Sequence, residues 1–215
     1  MINIRHFCCN MLQENCYIVS DESHEAVIID CGALYDAERQ AICDYIDQQQ
    51  LTVRHLVSTH AHFDHCFGNA TIWQRYGLQP SIPRADAFMV DLDRQMQQMM
   101  GMRYDEPQAP VGRYYDESDT FCFGSHQLSV LSTPGHSPGS CCLYCPEEHI
   151  LFSGDTLFAQ SIGRTDFEGG NWTQMQQSLR RLAQLPADTR VLPGHGPQTT
   201  IGQELLANPY LNRHG

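Results

Sequence analysis

The chain has 215 residues and a formal net charge of −12, and its 13 cationic residues are all arginines. The absence of lysine excludes Schiff-base chemistry, pyridoxal phosphate anchoring and a P-loop, each of which needs a side-chain amine. The acidic balance, with a sequence pI near 5.2, argues against a nucleic-acid surface built on phosphate neutralisation. No apolar run reaches the roughly 18 residues of a membrane helix. The first residues, MINIRHF, carry no cationic stretch followed by an apolar run, so no signal peptide is expected and the expected location is cytoplasmic. A single domain spanning 1–215, built from two similar halves of 1–115 and 116–215, is expected at this length, as a monomer or a homodimer.

In chain order, Ile2–Phe7 alternates, Cys16–Val19 is apolar, and Ala26–Ile29 is a short buried run ending in Asp30-Cys31-Gly32, so three strands are predicted. Asp36 opens a helix with Ala37, Ala41, Ile42, Tyr45 and Ile46 on one stripe. Leu51–Val57 is the next strand, and Phe67–Tyr76 a helix stopped by Gly77. From 84 to 100, Ala85, Phe88, Met89, Leu92, Met96, Met99 and Met100 recur at helical spacing. That stripe serves core packing, or else a flexible pocket wall or dimer contact. Residues 103–119, with Tyr104, Tyr114 and Tyr115, read as a loop. Gln127–Leu131, Ser140–Cys145 and His149–Phe152 are further strands. A capping box at Thr173–Gln176 opens a helix, Arg190–Leu192 is a last strand, and Thr199–Leu206 a closing helix. Strands then helix, twice, predicts two β-rich halves with helices on the outer faces.

The chemistry is concentrated just beyond strand ends. Ser58-Thr59-His60-Ala61-His62-Phe63-Asp64-His65 follows the strand ending at Val57. His136 in LSTPGHSPGS, Asp155 in ILFSGDTLF and His195 in VLPGHGP follow other apolar runs. Five histidines and two aspartates suit borderline divalent metals, and seven ligands are close to what two ions need when one carboxylate is shared. The other histidines (6, 24, 55, 126, 149 and 214) have no companion motif and are expected to be structural or solvated. Most of the ten cysteines sit in apolar runs and are expected to be buried small hydrophobes. Cys142 and Cys145 have redox-motif spacing, but in a strand-like segment.

In order, THAHFDH, PGHSPGS, SGDTLF and PGHGP resemble the successive motifs of the metallo-β-lactamase-fold hydrolase superfamily, and most of all its short glyoxalase II-like (hydroxyacylglutathione hydrolase-like) branch. Asp30 in VIIDCG resembles the early aspartate of that fold, and GRTDF at 163–167 resembles the glyoxalase II-like and persulfide-dioxygenase branches. The resemblance implies an α/β, four-layer αββα sandwich. It implies that His60, His62 and His136 hold one metal, that Asp64, His65 and His195 hold a second, and that Asp155 bridges. The expected cofactors are two divalent ions, zinc foremost, with iron or a zinc–iron pair as alternatives. Asp30, Arg164 and Asp166 are expected to support the site or to touch substrate. For Arg164 and Asp166 the other reading is a local ion pair.

Such a centre lowers the pKa of bound water toward about 7, and the resulting hydroxide can attack a carbonyl. Asp64 would be a ligand, a general base, or both. A thiolate leaves readily because free thiols have pKa near 8.5, so no strong general acid is needed. Hydrolysis of a small acyl-thioester or related activated ester is therefore expected, without nucleic-acid or membrane partners. The missing lysine removes an obvious partner for glutathione carboxylates. The alternatives are a mononuclear-iron persulfide dioxygenase using His60, His136 and Asp155, and further off a phosphodiesterase or a non-catalytic metal-binding sensor.

Overall fold

Alternation along the strands decides the layers. The computed structural model describes residues 1–90 and 108–211. In β2 (Glu14–Ser20), Tyr17 and Val19 point one way and Cys16 and Ile18 the other, and all four are buried. In β3 (Glu25–Ile29), Val27 and Ile29 join the first set, Ala26 and Ile28 the second. A strand buried on both faces reads as a continuous apolar run, because each face has its own partner layer.

The first sheet runs β1-β2-β3-β4-β5-β6, with β1 at Asn3–Cys9, β4 at Thr52–Val57, β5 at Pro80–Pro83 and β6 at Arg113–Tyr115. The second runs β14-β13-β10-β9-β8-β7, with β7 at Thr120–Phe123, β8 at His126–Ser132, β9 at Cys141–Cys145, β10 at Ile150–Gly154, β13 at Arg190–Pro193 and β14 at Thr199–Thr200. A small hairpin, β11 (Leu157–Phe158) and β12 (Ser161–Ile162), lies apart from both.

The inner core joins the sheets face to face. Tyr17, Val27 and Tyr115 from the first pack with Phe121, Leu143 and Phe152 from the second. On the first sheet's outer face, Ile18, Ile28 and Leu56 pack with Ile42 and Ile46 of α1 (Asp36–Gln48) and Ile72 of α2 (Asn69–Tyr76). On the second's, Cys142, Leu151 and Val191 pack with Met175, Leu179 and Leu182 of α3 (Trp172–Leu182) and Ile201 of α4 (Ile201–Ala207). The architecture is the expected four-layer αββα sandwich.

Several local expectations are corrected. The segment 103–119 is not all loop: β6 pairs parallel with β5, and Tyr115 is wholly buried, donating its hydroxyl to Ser58 O at 2.7 Å. A three-residue edge strand among polar neighbours has no readable period. Strands β5 and β7 escaped notice for the same brevity. α3 starts at an Asn171 cap, whose Oδ1 accepts from Gln174 N at 3.0 Å, rather than at a box on Thr173. The predicted helix at 84–100 begins with a 3-10 turn, Arg84–Asp86. Its remainder from 91, and Tyr104, lie outside the described residues. Met89 and Val90 pack with Ala61 and Ile82.

No disulfide joins any of the ten cysteines. Cys142 faces the helices and Cys145 the inner core, since positions three apart on a strand lie on opposite faces. The redox reading of their spacing is thereby excluded. His6, His24, His55, His126 and His149 are each held by protein oxygens: Asn15 Oδ1, Gln49 O, Cys122 O, Asp21 and Asp188 respectively. His214 lies outside the described residues.

Candidate metal centre and cavity

The strands that precede the motifs end at one edge of the sandwich. β4 leads into the loop holding His60, His62 and a 3-10 turn, Phe63–His65. β8 leads to His136, β10 to Asp155, β13 to His195, and β3 to Asp30. Two contacts stitch this edge together across the sheets: Cys141 N donates to Thr59 O at 3.0 Å, and Tyr17 Oη donates to Pro193 O at 2.8 Å. Glycine is required where the loops converge. A Cβ on Gly154, which has φ +48°, would strike Thr59 Oγ1, and one on Gly194 would strike Asp155 Oδ1.

The seven candidate ligands form overlapping clusters: His60, His62 and His136; His60, His65 and Asp155; Asp64, His65 and His195. His60 and His65 each belong to two of these clusters, and Asp155 faces members of all three. Its Oδ1 lies 3.4 Å from His65 Nε2, and its Oδ2 lies 3.4 Å from His136 Nε2 and 3.6 Å from His195 Nε2. Asp64 Oδ2 lies 3.3 Å from His195 Nε2.

The outer nitrogens are held from behind. His136 Nδ1 donates to Arg164 O at 2.7 Å, and His195 Nδ1 to Leu12 O at 3.0 Å. His60 Nδ1 is 3.2 Å from Thr59 Oγ1, whose own hydrogen goes to Asp30. His65 Nδ1 stands 3.2 Å from Asp30 Oδ2, though poorly aligned for a hydrogen bond. A proton on Nδ1 leaves Nε2 as the bare lone pair. His60 Nε2, His65 Nε2, His136 Nε2 and Asp155 Oδ1 are all buried with no protein partner. Orphaned lone pairs aimed at one spot are what a divalent cation requires, so the donor set fits the expected ions.

Electrostatics agree. Burial, reinforced by neighbouring imidazoles, pushes His60 well below the usual histidine range, and burial with His136 pushes His62 down to about 4. Burial would also lower His65, but Asp155, Asp64 and Asp30 outweigh it and raise it. Burial would raise Asp155, yet His65, His136 and His195 hold it below the ordinary carboxylate range. His60 and His62 are thus held neutral and Asp155 charged, the forms that bind metal, whereas His65 must give up a proton to an incoming cation.

Arg164 and Asp166 form the local ion pair, bidentate at 2.7 Å for each contact, and Arg164 also stacks 3.9 Å over the Phe167 ring. Asp30 lies behind the site, accepting from Thr59 N at 2.6 Å and Thr59 Oγ1 at 2.7 Å. Sequence reasoning missed two carboxyls. Asp86 accepts from Ala61 N, Ser137 Oγ and Gly139 N, tying the first histidine loop to the His136 loop. Glu14 is fully buried with neither carboxyl oxygen partnered, 3.9 Å from His65 Nδ1. Burial pushes its carboxyl well above the usual range. No sequence signal marked it, because the apolar run that predicts this strand starts only at Cys16. In front of the ligands opens a cavity of about 530 Å³.

A family profile described as the Metallo-beta-lactamase superfamily matches residues 9–195. The chain belongs to the metallo-β-lactamase superfamily. It is similar to the hydroxyacylglutathione hydrolase GloC of Haemophilus influenzae, 32% identical over 98% of this chain and 99% of that protein. Among solved structures it is similar to TTHA1623 in a di-iron-bound form, 35% identical with TM-score 0.84, covering 96% of this chain and 100% of that one. It is also similar to the BLEG-1 B3 metallo-beta-lactamase, 33% identical with TM-score 0.81, covering 98% and 99%. This metallo-β-lactamase-fold protein is thus a member of a metallo-hydrolase superfamily whose fold binds divalent metals. Among the described residues no helix is long and apolar enough to cross a membrane.

Proposed function

We propose that this metallo-β-lactamase-fold protein is a metal-dependent hydrolase that cleaves a small acyl-thioester or related activated ester, in the manner of glyoxalase II. His60, His62 and His136 would hold one ion, Asp64, His65 and His195 the other, with Asp155 between them. The observation that carries this reading is Asp155, whose two oxygens face His65 on one side and His136 on the other, both at 3.4 Å. The likeness to GloC supports the thioester part. Divalent ions bound there would polarise a carbonyl as Lewis acids and make water acidic enough to react near pH 7.

The chain's own groups do the rest. The Nδ1 donations of His136 and His195 to backbone carbonyls keep the protons of both rings away from the centre. Asp64 lines the cavity, where Oδ2 can take a proton from an attacking water. The thiolate departs with little acid assistance, since free thiols have pKa near 8.5. Zinc is the ion we assign, with iron or a zinc–iron pair as the alternative that the di-iron relative supports. Ten cysteines outside any disulfide suit a reducing compartment, and we assign the enzyme to the cytoplasm.

The test is a panel of thioester, persulfide, phosphodiester and β-lactam substrates, with metal content measured alongside. Thioester hydrolysis that needs metal and is lost in His60→Ala is the expected result. Oxygen uptake on a persulfide with one iron per chain would replace this reading by the dioxygenase one.

A further inference from the structure

The cavity in front of the ligands is walled very differently from its floor. Its wall draws on separate segments: Leu12 from the β1–β2 turn, Phe88 and Met89 after the 3-10 turn, Phe158 and Ile162 from the small hairpin, and Phe167 beyond it. Three of these are unusual in being large, apolar and exposed: Leu12 at 48%, Phe88 at 45% and Phe167 at 42%. Isolated exposed apolar side chains mean little, but several from distant segments meeting at the mouth of one cavity mark a surface that a ligand covers.

The charges on the wall point the same way. Among the described residues lining it, Arg164 is the one cation, and Glu168 adds a negative charge. Arg164 is already committed, to Asp166 through two hydrogen bonds and to the Phe167 ring through its flat face. A substrate arm bearing carboxylates would meet a cation whose charge Asp166 already balances, and a like charge from Glu168. An uncharged hydrocarbon or aryl arm would remove Leu12, Phe88 and Phe167 from water.

We infer that the cavity selects thioesters carrying an uncharged apolar arm, a medium alkyl chain or an arylalkyl group, in preference to the charged arm of an acylglutathione. This rests on the thioester-hydrolase reading and narrows its substrate. In the reaction water adds to the carbonyl carbon and the C–S bond breaks. The acyl group leaves as a carboxylic acid with the water oxygen, and the thiolate takes up a proton. Either side of the sulfur can supply the apolar arm, so the experiment separates them.

Metal-loaded protein is assayed on N-acetylcysteamine thioesters from acetyl to octanoyl and phenylacetyl, on acetyl thioesters of thiols of rising alkyl length, and on the same acyl groups carried by glutathione. The expected result is a rise in kcat/KM of about threefold to fourfold per methylene along one series, as full burial of each methylene gives. The series that rises identifies the side of the sulfur. Phe88→Ser and Phe167→Ser should flatten that rise, with folding checked by circular dichroism and metal content by mass spectrometry.

A second readout is independent of turnover. Calorimetric binding of uncleavable S-alkyl thioethers to metal-free protein should tighten with chain length and show a negative heat-capacity change. Flat length dependence in catalysis and binding, or a tenfold or greater preference for the glutathione carrier, overturns the inference while leaving thioester hydrolysis standing. Length-dependent binding with no thioester cleaved upholds the apolar selection by the cavity and removes the hydrolase reading.

Discussion

Asp30 accepts both polar hydrogens of Thr59, from the amide at 2.6 Å and from the hydroxyl at 2.7 Å, and in doing so it supports two candidate ligands at once. Thr59 Oγ1 backs His60 Nδ1 at 3.2 Å, and Asp30 Oδ2, the oxygen that accepts from Thr59 Oγ1, also stands 3.2 Å from His65 Nδ1. Asp30 itself is buried with φ 52°, a left-handed conformation that Asn tolerates as well as Asp. Asp30→Asn therefore isolates the carboxylate from the backbone. An amide has one acceptor oxygen for two donors, so the variant should bind zinc about 10- to 100-fold more weakly in a chelator competition. Unchanged affinity would mean that Thr59 and His65 hold their places without it.

Gly154 meets the same threonine from the second sheet. Its φ is +48°, and a Cβ there would strike Thr59 Oγ1. Gly154→Ala combines an unfavourable backbone with a collision against the support of His60. A loss of about 1–3 kcal/mol in urea unfolding is expected. Weakened zinc binding should accompany it.

Asp21 clasps the two sheets far from the site. It receives hydrogen bonds from Ser23 N and Ser125 N and faces His126 Nδ1 at 2.9 Å. Burial alone would raise its pKa, but these bonds outweigh it and leave the carboxyl below its ordinary range. A carboxyl with its folded pKa depressed stabilises the fold fully above its unfolded value, about 3.9, and loses that contribution as pH falls through the folded one. Asp21→Asn should thus cost about 1–3 kcal/mol at pH 6. The gap between variant and parent should close as denaturation curves are taken from pH 4 toward pH 2.

Thiol reactivity should sort by layer. Cys8 and Cys122 are exposed, whereas Cys142 and Cys145 are buried, and burial pushes both of the latter up to about 11. An aromatic disulfide reagent at pH 7.5 should modify Cys8 and Cys122 promptly and leave Cys142 and Cys145 untouched until denaturant is added. Mass mapping after a short exposure reads this directly. Rapid labelling of Cys142 would contradict its packing against Met175 and Leu179.

Much of the fold was legible because strands buried on both faces announce themselves as apolar runs, as at Val27–Ile29 and Ile150–Phe152. Elements too short to show a period were not legible: β6 hid in a polar stretch, and Tyr115, wholly buried, read as a loop residue. The histidine and aspartate motifs were visible because each follows a strand end and carries its own glycine. Asp86 and Glu14 were invisible because a lone acid has no pattern. Their importance arises only from the loops that the fold brings to them.

The sequence by itself determined the inventory of candidate ligands, the layer order and the superfamily, since residue type and period are local properties. Only the tertiary structure decided which oxygen backs which imidazole, that Arg164 pairs with Asp166 and lies over Phe167, and that Leu12, Phe88 and Phe167 meet at one mouth. Those are relations between segments up to about 155 residues apart, and chain distance carries no information about them until two sheets close face to face.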